Sequence, residues 1–465
     1  MDLLIITAAS VNGTTASGVD ITVKVNDAPV TLNFSSVELP PAPRPLKVEV
    51  TLTPQASHLF PVTGTFAYLG EGRLLPLDGG GPPNFRPTRA VSIEDGSAVM
   101  SLIGYVSRLR DVTAQVVESL SSAPDRRTDE FLLTTTGELP PVGYVRTISD
   151  PPVQGGQIVF DAAAEIAPDV DLFILELAAE PAPKLLAVTC PRSLISTPQR
   201  TAIAPAPVVL YFHSTAGQNF PEFYSGAYPF SWDFIHFGLL KYLFHLPDIE
   251  PLARWGGKGM PYQMHAAGVQ GIYVLPLNKP GDEVGVMIDA TSAQSVLEEI
   301  VAHLFHTAGM FVEPGLGRVA LAGFSSGNLL VSRFLQKNAG TPFLDNVLKE
   351  VYNFDIPSSQ MPSFEQVASP WLSSGDSATK MLRMYTQQDH PTEFSKLLGT
   401  PTPTPPYVIS DSSGQRTAAC LNTASWLPLA SGQMQSAFDF QTVHQLIAET
   451  CLLDAMRRSA FPKLP

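Results

Sequence analysis

Gly323-Phe324-Ser325-Ser326-Gly327 carries the plainest chemical signal in the chain. It reads G-x-S-x-G between a strand-like run, Arg318-Val319-Ala320-Leu321-Ala322, and a helix-like run that begins at Asn328-Leu329-Leu330-Val331. A strand that enters a helix through so sharp a turn leaves no room for side chains beside the central residue. Glycines therefore flank it, and the serine hydroxyl stands at the head of the strand. An alcohol is a poor nucleophile at neutral pH, so it needs a base to take its proton and a carboxylate to hold that base in one tautomer. Covalent acyl transfer is the chemistry these residue types can do.

The motif in this setting resembles the nucleophile elbow of the α/β-hydrolase superfamily, which includes serine esterases and lipases; the resemblance is confined to residues 191–465. It implies a serine hydrolase, foremost a carboxylic ester hydrolase working through an acyl-enzyme, with the partners in the chain order serine, acid, histidine. Of nine histidines only His390 and His444 follow Ser325. The superfamily carries its base on a loop before the last helix, which is where His444 precedes the run Cys451 to Met456, so His444 is the expected base. The acid should follow a late strand. Asp389, after Met381 to Thr386, is the first choice, and Asp355, which closes Tyr352-Asn353-Phe354, is its rival. A set of Ser325, Asp355 and His390 is a further arrangement, disfavoured because it leaves His444 unemployed.

The oxyanion of a tetrahedral intermediate needs preorganised N–H donors. The resemblance assigns one to the amide of Ser326 and the other to the loop His213-Ser214-Thr215-Ala216-Gly217, with Thr215 favoured over Ser214. Many relatives have His-Gly there; this chain has His213-Ser214. No metal or organic cofactor is implied, and the substrate would be a small-molecule or polymeric ester. Ten aromatic residues between Phe220 and Phe244, among them Trp232, Phe237 and Tyr242, suit an apolar or aromatic acyl or alcohol pocket, a lid, or core packing alike. The same scaffold would also serve a prolyl-type peptidase, an acyltransferase or a binding protein without a competent triad. His303 and His306, three residues apart, lack a third ligand in zinc-protease spacing and read as packing residues.

The elements that must position these groups follow from periodicity. Beyond about residue 195, short apolar runs at 207–212, 271–275, 319–322, 351–354 and 381–385 alternate with helix-like segments at 290–305 and 328–336, a pattern that predicts a parallel sheet with helices on its faces. Before residue 190, alternation in Ile21-Val23-Val25, Val30-Leu32-Phe34 and Leu46-Val48-Val50-Leu52 predicts half-buried strands, with Asn26-Asp27 as a turn. Apolar residues from Val99 to Leu120 recur at helical spacing, so a helix is expected near 97–120. The expected fold class is α/β: an α/β-hydrolase fold, mostly parallel and flanked by helices, over 191–465, preceded by a β-rich, sandwich-like domain of unassigned role over 1–190.

Composition narrows the remaining classes. With 465 residues, 44% hydrophobic and 15% charged, the chain is long enough for two domains and too apolar for global disorder. A net charge of −14 disfavours nucleic acid as a partner. No stretch has the length and apolarity of a membrane span. Met1-Asp2-Leu3-Leu4-Ile5-Ile6 has no positive n-region, and Cys190, Cys420 and Cys451 form neither a disulfide framework nor a metal spacing. A cytoplasmic location is the expectation from both.

Overall fold

A computed structural model describes residues 2–10, 19–33, 36–40, 45–54, 62–69, 73–76, 88–93, 100–116, 153–154, 157–158, 167, 169–177, 185–195, 205–214, 242–243, 259–277, 284–308, 315–375, 379–387, 397, 402, 406–422 and 440–464. Among the described residues, nine strands come first: β1 (Asp2–Ser10), β2 (Val19–Val25), β3 (Ala28–Val30), β4 (Ser36–Leu39), β5 (Leu46–Pro54), β6 (Val62–Leu69), β7 (Arg73–Pro76), β8 (Thr88–Ile93) and β9 (Met100–Ser107). They form two antiparallel sheets, ordered β4-β1-β6-β8 and β3-β2-β5-β9-β7. Leu4, Ile6, Val37 and Leu39 from the first and Val23, Val48, Val50 and Leu52 from the second share one apolar cluster. The β2–β3 hairpin turns on Asn26 and Asp27 at φ 49° and 64°, the left-handed pair that a two-residue turn requires.

The helix expected near 97–120 is absent from its first half, where the chain is β9. Leu102, Gly104 and Val106 pair with Val50, Val48 and Leu46 of β5, while Arg73–Pro76 pairs on the other edge. Pairing along one edge from Met100 to Val106, and on both edges at residues 104–106, satisfies much of the backbone of β9, and that tertiary gain outweighs a helical spacing of apolar residues.

The remaining strands are β10 (Leu109–Asp111), a small pair β11 (Val153–Gln154) and β12 (Gln157–Ile158), then β13 (Val170–Leu177), β14 (Leu185–Pro191), β15 (Ala206–Phe212), β16 (Ile272–Leu277), β17 (Leu316–Phe324), β18 (Leu348–Phe354), β19 (Lys380–Tyr385), β20 (Tyr407–Ser410) and β21 (Arg416–Leu421). Ten of them form one sheet, β10-β13-β14-β16-β15-β17-β18-β19-β21-β20. This sheet corrects the expected fold class. Five pairings, from β16 to β21, are parallel. The three from β10 to β16 are antiparallel, as is β20 with β21. The sheet is large and mixed, with one end antiparallel, and among the described residues only five helices reach seven residues. That is not a clear α/β-hydrolase layout. Residue 190, near the expected boundary, lies inside β14, whose neighbours in the sheet come from both sides of it. The physical reason is that a strand covered on both faces reads as a continuous apolar run whichever way its neighbours point, and β14 is buried at every position.

The helices are α1 (Met260–Ala266), α2 (Ala290–Thr307), α3 (Gly327–Lys337), α4 (Met361–Ser373) and α5 (Phe440–Arg458). Successive strand residues alternate between faces, so Val209, Tyr211, Tyr273, Tyr352 and Tyr385 pack with α1 and α5. Val208, Leu210, Phe212, Val274 and Val351 pack with α2, α3 and α4 on the other side. No helix among the described residues is long and apolar enough to cross a membrane.

Candidate active site

The parallel strands β15, β17, β18 and β19 end at one edge of the sheet, and the residues that could do chemistry lie just past those ends. A short ladder of main-chain bonds staggers them. Ser325 N–H donates to Phe354 O at 2.9 Å, Asp355 N–H to Tyr385 O at 2.7 Å and Thr386 N–H to Leu421 O at 2.9 Å, so each strand's exit residue is tied to the last carbonyl of its neighbour. Ser325 and Asp355 both hold φ near 50°, at 52° and 49°. A left-handed conformation is costly for a non-glycine residue and persists only where the surroundings fix it. Here two such residues sit side by side.

The flanking glycines have steric reasons. A Cβ on Gly327 would lie 2.1 Å from Phe212 O, and one on Gly323 would lie 2.7 Å from Val331 Cγ2 and 2.9 Å from Gly327 O. The strand-to-helix turn is therefore packed directly on the end of β15. α3 begins at Gly327, which directs the positive end of an 11-residue helix toward the turn that bears Ser325.

His444 meets Asp355. Its Nδ1 lies 2.5 Å from Asp355 Oδ2, and the two side chains are 17% and 9% exposed. An ionised carboxylate only accepts, so Nδ1 carries the proton and Nε2 keeps a free lone pair as the basic nitrogen. The imidazole also lies tilted against the ring of Phe324, the residue before Ser325, with ring centroids 4.6 Å apart. His444 lies inside α5 rather than on a loop before it, and α5 is held at several points. Gln263 Nε2 donates to Ala448 O at 2.9 Å, Leu453 N–H donates to Gln263 Oε1 at 3.0 Å, and Arg383 Nη2 and Tyr385 OH donate to Asp454 Oδ2 at 2.7 and 2.8 Å. Burial alone would raise the Asp454 carboxyl, but the Arg383 charge and the bonds from Tyr385 and Arg458 bring it below its ordinary value.

The carboxylate brought to the imidazole is thus Asp355. Asp389 lies outside the described residues, as do His390 and Thr215. Ser326 is at the N-cap of α3 in helical conformation, directly after Ser325. Ser214 has its hydroxyl 2.5 Å from Tyr242 OH, and its carbonyl accepts from His213 Nδ1 at 2.7 Å. Of the aromatic run from Phe220 to Phe244, Tyr242 is described and is fully buried beside Tyr211, His213 and Phe324.

No protein-family model matches the chain, and no curated protein matches it.

One group in that geometry was not singled out from the sequence. Gln387, just past β19, donates from its backbone N–H to Asp355 Oδ1 at 3.2 Å and from Nε2 to Asp355 Oδ2 at 2.7 Å. Its only sequence signal is its place two residues after an apolar run. Among the described residues, no group of three His, Cys, Asp or Glu side chains is arranged to hold a metal ion. His303 and His306 are both buried in α2, His303 edge-on to Phe173 at 6.3 Å.

Proposed function

We propose that this chain is a serine hydrolase that cleaves carboxylic esters by acyl transfer to water. One observation carries the reading: the 2.5 Å contact that fixes the proton on His444 Nδ1 and leaves Nε2 as a base, at the exit of the strand next to the one that leads into Ser325. Ser325 Oγ attacks the ester carbonyl and gives its proton to Nε2, and Asp355 stabilises the imidazolium that forms. The amide of Ser326, at the head of α3, donates to the tetrahedral oxyanion. Collapse expels the alcohol, which takes the proton from Nε2. Water, deprotonated by the same nitrogen, then attacks the acyl-enzyme, and collapse releases the acid while Ser325 Oγ takes the proton back from Nε2.

The aromatic composition of 220–244 makes esters with apolar or aromatic groups the substrates to try first. Turnover of p-nitrophenyl acetate and labelling by a fluorescent fluorophosphonate test the reading together. Ser325→Ala should abolish both with folding intact. Asp355→Asn, which retains a residue tolerant of positive φ and removes the charge, should lower kcat by about 10³- to 10⁴-fold. Full turnover by Ser325→Ala, or a wild-type protein that neither labels nor turns over ester, would discard the assignment.

A further inference from the structure

We propose that Gln387 is a positioning residue for the Asp355–His444 pair, an inference that rests on the acyl-transfer reading. A carboxylate turns readily about its last bond, whose torsion is broad and nearly two-fold. An unrestrained Asp355 would therefore present either oxygen to the imidazole, at varying angles. Gln387 removes that freedom with two donors from one residue. Its backbone N–H takes Oδ1 at 3.2 Å and its amide Nε2 takes Oδ2 at 2.7 Å, the oxygen that also receives His444 Nδ1 at 2.5 Å.

The amide orientation follows from chemistry, because only the NH2 end of the side chain can face an acceptor-only carboxylate. Gln387 is itself held by the end of β19, where Tyr385 O accepts from Asp355 N–H and Thr386 N–H donates to Leu421 O. The exit of β19 thus supplies the group that aims a carboxylate borne by β18. Two neutral donors add to the hydrogen bonding of that carboxylate without adding a second charge that would compete for it.

The test compares wild type with Gln387→Met, close in length but without a side-chain donor, and Gln387→Asn, one methylene too short to reach. In each, kcat and KM for p-nitrophenyl acetate are measured beside the low-field Nδ1 proton resonance of the imidazole, assigned by its loss in His444→Gln. Both variants should lose about 10- to 100-fold in kcat with KM little changed, and the resonance should move or vanish while circular dichroism is retained.

If wild type turns over no ester, the acyl-transfer reading fails by itself, and the resonance still decides the role of Gln387. An unmoved resonance and unchanged kcat in Gln387→Met overturn the proposal. So does the absence of any His444-dependent resonance in wild type. Failure of both variants to fold also overturns it, because Gln387 would then hold up the sheet rather than aim the carboxylate.

Discussion

At Gly327 a single hydrogen atom decides whether the elbow can form. A Cβ there would meet Phe212 O at 2.1 Å and His213 O at 3.0 Å, both backbone atoms at the end of β15 that no rotamer change can move. Gly327→Ala should therefore cost about 1–3 kcal/mol, read as a lower urea midpoint at unchanged m-value, and should slow fluorophosphonate labelling of Ser325 by displacing the start of α3. The requirement was legible in the sequence, because spacing alone says that the serine's neighbours must be small. The partner carboxylate was not. Asp355 closes one apolar run and Asp389 follows another by a few residues, and only the order β17-β18-β19 sets Asp355 at the exit of the strand adjoining β17. Gln387 left no trace in composition or periodicity, since a glutamine past a strand end is unremarkable until its acceptor is known.

Among the elements, α2 shows what periodicity conveys and what burial adds. Its span was readable from apolar spacing over residues 290–305, and its start is fixed by Asp289, whose carboxylate accepts from Thr291 and Ser292 N–H at 3.1 and 3.2 Å. The stretch at 97–120 shows the opposite, because β9 borrows its stability from two neighbouring strands that a local window does not contain. Near its C-terminal end α2 buries His306 completely. Burial, helped by the nearby His303, pushes the His306 pKa down from 6.5 to about 4. A depressed histidine pKa means that the unfolded chain takes up a proton the folded chain refuses. His306 therefore costs nothing above pH 6.5 and destabilises progressively as pH falls from 6.5 toward 4. The protein should be about 2 kcal/mol less stable at pH 5 than at pH 7 from this group, by urea titration at the two values. His306→Leu should remove that part of the difference.

Across the whole molecule, the strand directions were the part of the fold that hydrophobic pattern could not hold, and the junction of the two β regions shows how the chain manages the change. β9 belongs to the five-stranded sheet and β10 to the ten-stranded one, with only Arg108 between them. Glu299 of α2, fully buried, fixes that crossing. It accepts from Ser107 Oγ at 3.1 Å, from Arg108 N–H at 2.7 Å and from Arg108 Nε and Nη2 at 3.0 and 2.7 Å. Burial raises the Glu299 carboxyl above its ordinary value, and the Arg108 charge and the hydrogen bonds from Arg108 and Ser107 offset only part of that. The pair therefore fixes geometry more than it adds net stability, and removing one member is worse than removing both. Glu299→Met should cost about 3 kcal/mol by leaving a guanidinium, only 20% exposed, without its carboxylate. Arg108→Met should cost a similar amount by removing the charge that faces the carboxylate, which keeps only the Ser107 hydroxyl and the residue-108 backbone N–H as donors. The double variant should be more stable than either single one, which requires a coupling in the double-mutant cycle above about 3 kcal/mol. Additive losses would mean that Glu299 and Arg108 act independently and that the crossing is held by β9 and β10 alone.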